Sequence, residues 1–468
     1  MPHGRFRIGL LGILPLLGWA GCGPVGPDHQ VPQTDLPASF SKGGVEWKRH
    51  TPGKPPQPQA WWRMFGDAEL NGLVERALAS NQEIAASAAR LREARELSRM
   101  ARSLYFPDVD IGASAERSKV RMRMPGGGTN VSSGFAIPLD LRYEVDLWGK
   151  VARQVESAEA SEAAAGERLN AMRLTIAGEV AQTYWALRAV DANRAVVAKA
   201  LEIRRKALEL IAKRKQVGEI SGLDLARAET EVATADADRL QLEQERAKLV
   251  DALAVLTGRS ATGMSVTEKA ELPAPPRIPA GIPSDLLRNR PDIRAAEREV
   301  AAANAEIGVA SAAFYPTLTL SGSSGFDAER FPDLFDASSL VWSIGANVLA
   351  PVTERQRLQS NRQAKVEAHA AATADYRQAV LEAMREVEDA LKGSGILERR
   401  QLAQDQAVAA ATKTLDLSAK RFRGGMESFL DVVDAERTRL EAERLANVIR
   451  AERLAVAVSL AKAVGGEW

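Results

Sequence analysis

The sequence predicts a mainly α fold with a small β part, built by using one structural unit twice. Three observations carry that expectation: the spacing of the prolines, an internal repeat, and paired segments whose apolar residues alternate. Ten of the 22 prolines fall by residue 58, none lies between Pro138 and Pro273, and none follows Pro351. Proline breaks helix interiors, so the two empty stretches, of 134 and 117 residues, suit long helices. They do not suit the three compact domains that a length of 468 residues would otherwise suggest. Lys and Arg total 62 against 61 Asp and Glu, a balance that disfavours a nucleic-acid partner. One cysteine and four histidines exclude a disulfide framework and a Cys/His metal site, and no P-loop or Rossmann glycine pattern occurs. No cofactor and no enzymatic activity are expected, and His369 reads as structural.

In chain order, residues 1–21 read as an export signal. Arg5 and Arg7 precede an apolar run from Ile8 to Trp19, too short to span a bilayer, and Ala20-Gly21 supply small residues before a cleavage point. Trp19-Ala20-Gly21-Cys22 resembles a bacterial lipobox, which implies a lipid on Cys22, and Gly23 after it fits sorting to an outer membrane. Residues 22–60, rich in Pro and Gly, read as an extended strap.

The repeat follows. Residues 84–109 align without gaps to 293–318, matching Tyr105-Phe106-Pro107 to Phe314-Tyr315-Pro316. Ala212-Lys213-Arg214 matches Ala419-Lys420-Arg421, and the same register pairs Gly218 with Gly425, Ser221 with Ser428, and Leu223-Asp224 with Leu430-Asp431. Repeat 1 covers 61–272 and repeat 2 covers 284–468, joined by a Pro-rich linker at 273–283. Each copy is expected to begin with an Ala-rich helix, at 82–104 and at 291–313. Pro107 and Pro316 then end the helix and open a strand.

Strand pairs of about ten residues follow. Val109, Ile111 and Ala113 alternate with Asp108, Asp110 and Gly112, and Phe135 to Val145 alternates with Ala136 to Asp146. Leu318 and Leu320, then Leu340, Trp342, Ile344, Ala346 and Val348, alternate likewise in the second copy. Pro138, inside a strand, is expected near an end or at a bulge. Next come helices over 150–216 and 354–422, each about 100 Å long at 1.5 Å per residue. Glycine breaks at 217–222 and 423–427 turn the chain into return helices ending near 257 and 464. On the first, Ala228, Val232, Ala235, Leu242, Leu249, Leu253 and Leu256 keep coiled-coil spacing, interrupted at Arg239 and Arg246.

Strands of this length with one apolar face can cross a bilayer, and a sheet in lipid must close because open edges leave backbone groups unsatisfied. Four strands cannot close; three copies supply twelve. The expectation is therefore a homotrimer: a 12-stranded transmembrane β-barrel, four strands from each chain, continued by a long antiparallel α-helical barrel. A lipid-anchored coiled-coil scaffold without a pore is the alternative of a different class.

The sequence resembles the TolC-type outer-membrane efflux proteins, in the lipoprotein (NodT/OprM-like) branch. The resemblance rests on Cys22-Gly23-Pro24-Val25-Gly26-Pro27-Asp28, Tyr143-Glu144-Val145-Asp146-Leu147-Trp148-Gly149-Lys150, Arg288-Asn289-Arg290-Pro291-Asp292-Ile293 and Phe429-Leu430-Asp431-Val432-Val433-Asp434-Ala435-Glu436-Arg437. It implies a passive trimeric duct in the outer membrane, reaching into the periplasm and docking with a periplasmic adaptor and an inner-membrane pump. Small-molecule efflux is favoured, with protein secretion as the variant reading. By resemblance, Leu430, Asp431, Asp434 and Arg437 form the periplasmic gate. Crowding of acids about a threefold axis there is expected to raise their pKa values. Gly218, Ser221, Leu223 and Asp224, with Gly425, Glu427 and Ser428, form the adaptor-docking tip, and Glu427 stands where some relatives carry a basic latch.

Overall fold

The computed structural model describes residues 23–34, 60–121, 129–278 and 290–466. The export signal, Cys22, residues 35–59 of the strap, the glycine loop at 126–128 and residues 279–283 of the linker lie outside the described residues. The chain divides into two compact units.

The first unit holds a five-segment antiparallel sheet with the helix ends that flank it. Its strands are β1 (Asp108–Ile111), β2 (Ser114–Arg121), β3 (Thr129–Val145), β4 (Thr317–Ala328) and β5 (Leu340–Leu349), in the order β1-β3-β4-β5, with β2 also on β3. β1 and β2 pair with β3 in one register, Ile111 opposite Leu139 and Ser114 opposite Ala136, so they form a single lane beside β3. Pro138 explains the gap. It sits in the middle of β3, not at an end or a bulge, and lacks the N–H that Gly112 would need; only the reverse bond remains, Gly112 N–H to Pro138 O at 2.9 Å. The 17 residues of β3 exceed the ten expected because the polar run Thr129–Ser133 continues the ladder against Arg117–Arg121.

The strap begins here. Gly23 to Thr34 forms neither helix nor strand and bends at Val25-Gly26, and Val25 N–H bonds to Trp148 O at 2.9 Å. Arg153 is buried and reaches Asp28 at 2.8 Å, while Asn304 donates to Pro27 O at 2.8 Å. Gly149, at φ 72°, lets the strap approach the strand-to-helix corner, since a Cβ there would lie 2.4 Å from Pro24 Cα.

The second unit is helical. A short 3₁₀ turn, Trp61–Phe65, leads to α1 (Ala68–Ser80), an element the sequence reading did not separate. Asp67 caps it, accepting N–H bonds from Glu69 and Leu70 at 2.8 and 3.0 Å. Asn81 ends α1 and caps α2 (Gln82–Ser103) through Glu83 N–H at 2.8 Å. The long helices are α3 (Lys150–Gln216) and α6 (Arg355–Arg423), with return helices α4 (Gly222–Leu256) and α7 (Phe429–Ala463), and α5 (Pro291–Ala312) opens the second copy. α2 and α5 each have 22 residues, α4 and α7 each 35, so the repeat holds at the level of elements. The core of this unit joins α1 (Leu70, Leu73, Val74) to α3 (Ile176, Val180, Tyr184, Trp185), α4 (Leu253), α6 (Val387) and α7 (Leu454, Val458). Ile278, in the proline-rich connection, is buried in the same cluster. No helix among the described residues is long and apolar enough to cross a membrane.

Candidate functional site

Two regions carry the candidate chemistry, one in each unit. In the sheet, the register gathers the alternating residues on common faces. Val109 faces Leu141 and Ile111 faces Leu139; Ile137 faces Phe326, Tyr143 faces Leu320 and Val145 faces Leu318; Phe326 faces Leu340 and Gly322 faces Ile344. Directly opposed residues share a face, so one apolar surface crosses all four lanes. It is uncovered: Trp342 is 72% and Ile344 83% exposed. From Phe135 to Val145 it spans about 25 Å for strands tilted near 40°, the height of a hydrocarbon band.

Aromatic side chains mark both ends of that band. Phe135 meets Phe331 at 5.6 Å and Phe326 meets Phe335 at 5.6 Å at the loop end. Trp148 stacks on Tyr315 at 4.7 Å at the helix end and donates to Pro316 O at 2.7 Å. The opposite face is polar. Asp108 is opposite Arg142, Asp110 opposite Asp140, and Ser321, Ser323, Ser343 and Asn347 complete it. Asp110 against Asp140 places like charges in register, an arrangement that water or counterions must relieve.

The second region is the pair of helix breaks. Gly218 and Gly425 have φ of 81° and 75°, which closes each long helix in a left-handed turn: Glu219 N–H returns to Arg214 O and Met426 N–H to Arg421 O. Ser221 and Ser428 then cap the return helices. Ser221 Oγ accepts from Asp224 N–H at 3.3 Å and donates to its carboxylate at 2.8 Å. Ser428 and Asp431 form a full capping box, with Ser428 N–H to Asp431 Oδ2 at 3.0 Å. Leu223 and Leu430 are exposed beside them. Glu427 pairs with Arg421 at 3.1 Å. Arg214 of the first tip lies over the Phe422 ring of the second at 6.0 Å, and within the second tip Phe422 packs against Phe429 at 5.9 Å.

Within one chain, the Ser428 hydroxyl and N–H hold the Asp431 carboxyl below its ordinary value, because the donors of the capping box stabilise the charged form. Asp434, one turn on, is exposed. Arg437 reaches Glu231 of α4, which it grips through two nitrogens, and the Asp434 charge also favours its charged form.

That contact is the rim of a charged network that sequence reasoning missed. Arg204 of α3 reaches Glu231 at 3.2 Å and Glu436 of α7 at 3.7 Å, with side chains 6, 8 and 10% exposed respectively. Burial pushes the Glu436 carboxyl above its ordinary value, with Arg204 and Arg439 pulling the other way. A second buried network lies further along α3. Arg188 is held by Asp191 and Glu69 at 2.8 Å each, and Asp191 also takes Arg246 at 2.7 Å. The signal for it was present: Arg246 breaks the apolar spacing of α4. Arg239, the other break, pairs on the surface with Asp236 and Glu243.

The comparisons with known proteins agree with this geometry. The "Outer membrane efflux protein" family matches residues 73–259 and 282–466, segments that start 209 residues apart and end 207 apart, the offsets of the repeat. The pyoverdine export outer membrane protein OpmQ of Pseudomonas aeruginosa is 32% identical over 87% of each chain. The toluene efflux pump outer membrane protein TtgI of Pseudomonas putida is 30% identical over 98% of each. The solved outer-membrane channel OprN superposes with a TM-score of 0.86 at 30% identity, over 95% of this chain and all of that one. With the sheet, the doubled helical hairpin and these relatives in agreement, the chain belongs to the outer membrane efflux protein family.

Proposed function

We propose that three copies of this outer-membrane efflux protein close into one passive duct, twelve strands across the outer membrane and twelve long and return helices into the periplasm. The observation that carries the reading is the four-lane sheet of one chain, with β5 and the β1–β2 lane as unpaired edges and an uncovered apolar face. In lipid those edges need partners, and a threefold arrangement supplies them without new secondary structure. The polar faces then line the pore. A scaffold without a pore leaves the uncovered apolar face unexplained.

The duct has no energy source of its own and no enzymatic role. The tips at Gly218–Asp224 and Gly425–Ser428 dock a periplasmic adaptor, which joins the duct to an inner-membrane pump. Leu430, Asp431, Asp434 and Arg437 form the gate, and Arg437–Glu231 is a link that opening strains. A lipid on Cys22 tethers the strap, whose next residues are clamped to the base of the sheet. The cargo is a small molecule chosen upstream of the duct; relatives of about equal identity are named for chemically unlike cargoes, pyoverdine and toluene.

Planar-bilayer recordings of the purified protein test this. Native mass spectrometry should give a trimer, and Asp431→Ala/Asp434→Ala should raise conductance and weaken cation preference. A monomer, or a trimer that never conducts even with both substitutions, would sink the duct.

A further inference from the structure

The outward face of the β2–β3 hairpin changes character above the apolar band. The ladder runs from Ala115 opposite Phe135 through Arg117 opposite Ser133, Lys119 opposite Val131 and Arg121 opposite Thr129. Period two is unbroken along this stretch, so the three cations stand on the same side as Phe135 and Ile137. Glu116, Ser118 and Val120 occupy the other side, where the Ser118 and Ser132 hydroxyls lie 3.0 Å apart. Arg117, Lys119 and Arg121 are exposed, and none has an ion-pair or hydrogen-bond partner among the described residues. The outward face of the hairpin above Phe135 carries no carboxylate.

Depth is set by the neighbouring rings. Phe135 and Phe331 belong to the aromatic belt at the loop end of the strands, and such belts sit at the boundary between hydrocarbon and headgroups. Residues one to three steps beyond that belt, and facing away from the pore, meet headgroups. β1 follows α2 and β3 leads into α3, so the end of β2 at Arg121 and the start of β3 at Thr129 are at the opposite end of the sheet, in the outer leaflet. Resting on the barrel reading above, we propose that Arg117, Lys119 and Arg121 form a stripe that binds phosphorylated lipid headgroups of the outer leaflet. The cations recur about every 6.8 Å, a row about 14 Å long, so one lipid with two phosphates can engage two of them. Cations of inward phase would instead act on cargo; the register assigns these three to lipid.

The test uses the full chain, in nanodiscs of neutral phosphatidylcholine, titrated with a diphosphorylated lipid A or its dephosphorylated form. Bound lipid is read by native mass spectrometry. The phosphorylated form should be preferred, and that preference should shrink several-fold as salt screens the exposed charges. R117S/K119S/R121S should weaken retention by about a hundredfold, about fivefold for each cation lost near the surface. Equal retention of the two lipids by the unsubstituted protein overturns the proposal, as does a salt-independent preference or unchanged retention in the triple variant. Displacement of the lipid by inorganic phosphate at similar concentration would assign the stripe to free phosphate and overturn it as well. If the triple variant does not assemble, the comparison of the two lipids on the unsubstituted protein decides. Conductance of the same preparation keeps the two readings apart. A conducting channel without phosphate preference loses only the stripe, and a protein that never conducts loses the barrel on which the stripe rests.

Discussion

Glu436 and Asp431 are five residues apart on one helix, and their environments push them in opposite directions. Glu436 is buried between Arg204 and Arg439, and its charged form is disfavoured by burial. An acid with a raised folded pKa contributes stability below its unfolded value, near 4.3, and loses that contribution as pH rises through the folded value. Glu436→Gln should therefore melt higher than the unsubstituted protein at pH 7.5, and the two should converge near pH 4. Arg204→Met is the complementary change. It leaves Glu231 and Glu436 buried with one cation fewer and should cost about 3 kcal/mol, read as a lower thermal midpoint. Asp431 has the reverse sign. Its contribution is present above the ordinary carboxylate value near 3.9 and is lost as pH falls through the depressed one. Asp431→Ala should differ from the unsubstituted protein in thermal midpoint at neutral pH and match it in acid.

At the scale of elements, the ends of the helices and the strap decide what is rigid. Ser221 and Ser428 each satisfy N–H groups that a helix start leaves open. Ser428→Ala should cost about 1 kcal/mol and speed amide exchange in the first turn of α7, leaving the far end of the helix unchanged. If exchange at residues 429–432 is unaltered, the cap does not hold the tip. The strap depends on absence of a side chain. Gly149→Ala places a Cβ within 2.5 Å of Pro24 at a φ that favours glycine, so it should lift residues 23–28 from the sheet base. Limited proteolysis should then cut the strap faster in Gly149→Ala, with no change in cutting at the helical tips.

For the whole molecule, the two faces of β5 make unlike predictions from adjacent positions. Ile344 is on the apolar face opposite Gly322, and Ser343 is on the polar face opposite Ser323. An Arg on the lipid face of a barrel costs about 2–4 kcal/mol near the midplane, whereas an Arg in the lumen meets water. Ile344→Arg should sharply reduce the yield of membrane-inserted trimer. Ser343→Arg should assemble normally and shift ion selectivity toward anions in bilayer recordings. Equal assembly of the two would contradict the assigned faces.

Much of this was legible in the sequence because it depends on local periodicity. Proline placement located the long helices, the offsets of 209 and 207 located the repeat, and alternation assigned Val109, Leu141 and Ile344 to one face before any pairing was known. Glycine and serine at matching offsets announced the turns and caps, since each acts on the backbone beside it. What failed to show were arrangements made by residues distant in sequence. The partner of Arg437 is Glu231, 206 residues away, and a chain in which a quarter of the residues are charged offers too many candidates for spacing alone to choose. Nor could composition tell that the Ser428 donors would hold the Asp431 carboxyl below its ordinary value. Pro138 was visible as an anomaly, but its effect fell on the opposite strand, where Gly112 lost a partner. The sequence by itself determined which elements form and which face of each is apolar, because those follow from nearest neighbours along the chain. Only the tertiary structure decided which charges are buried together, since that choice is made between helices and depends on which side chains are left without water.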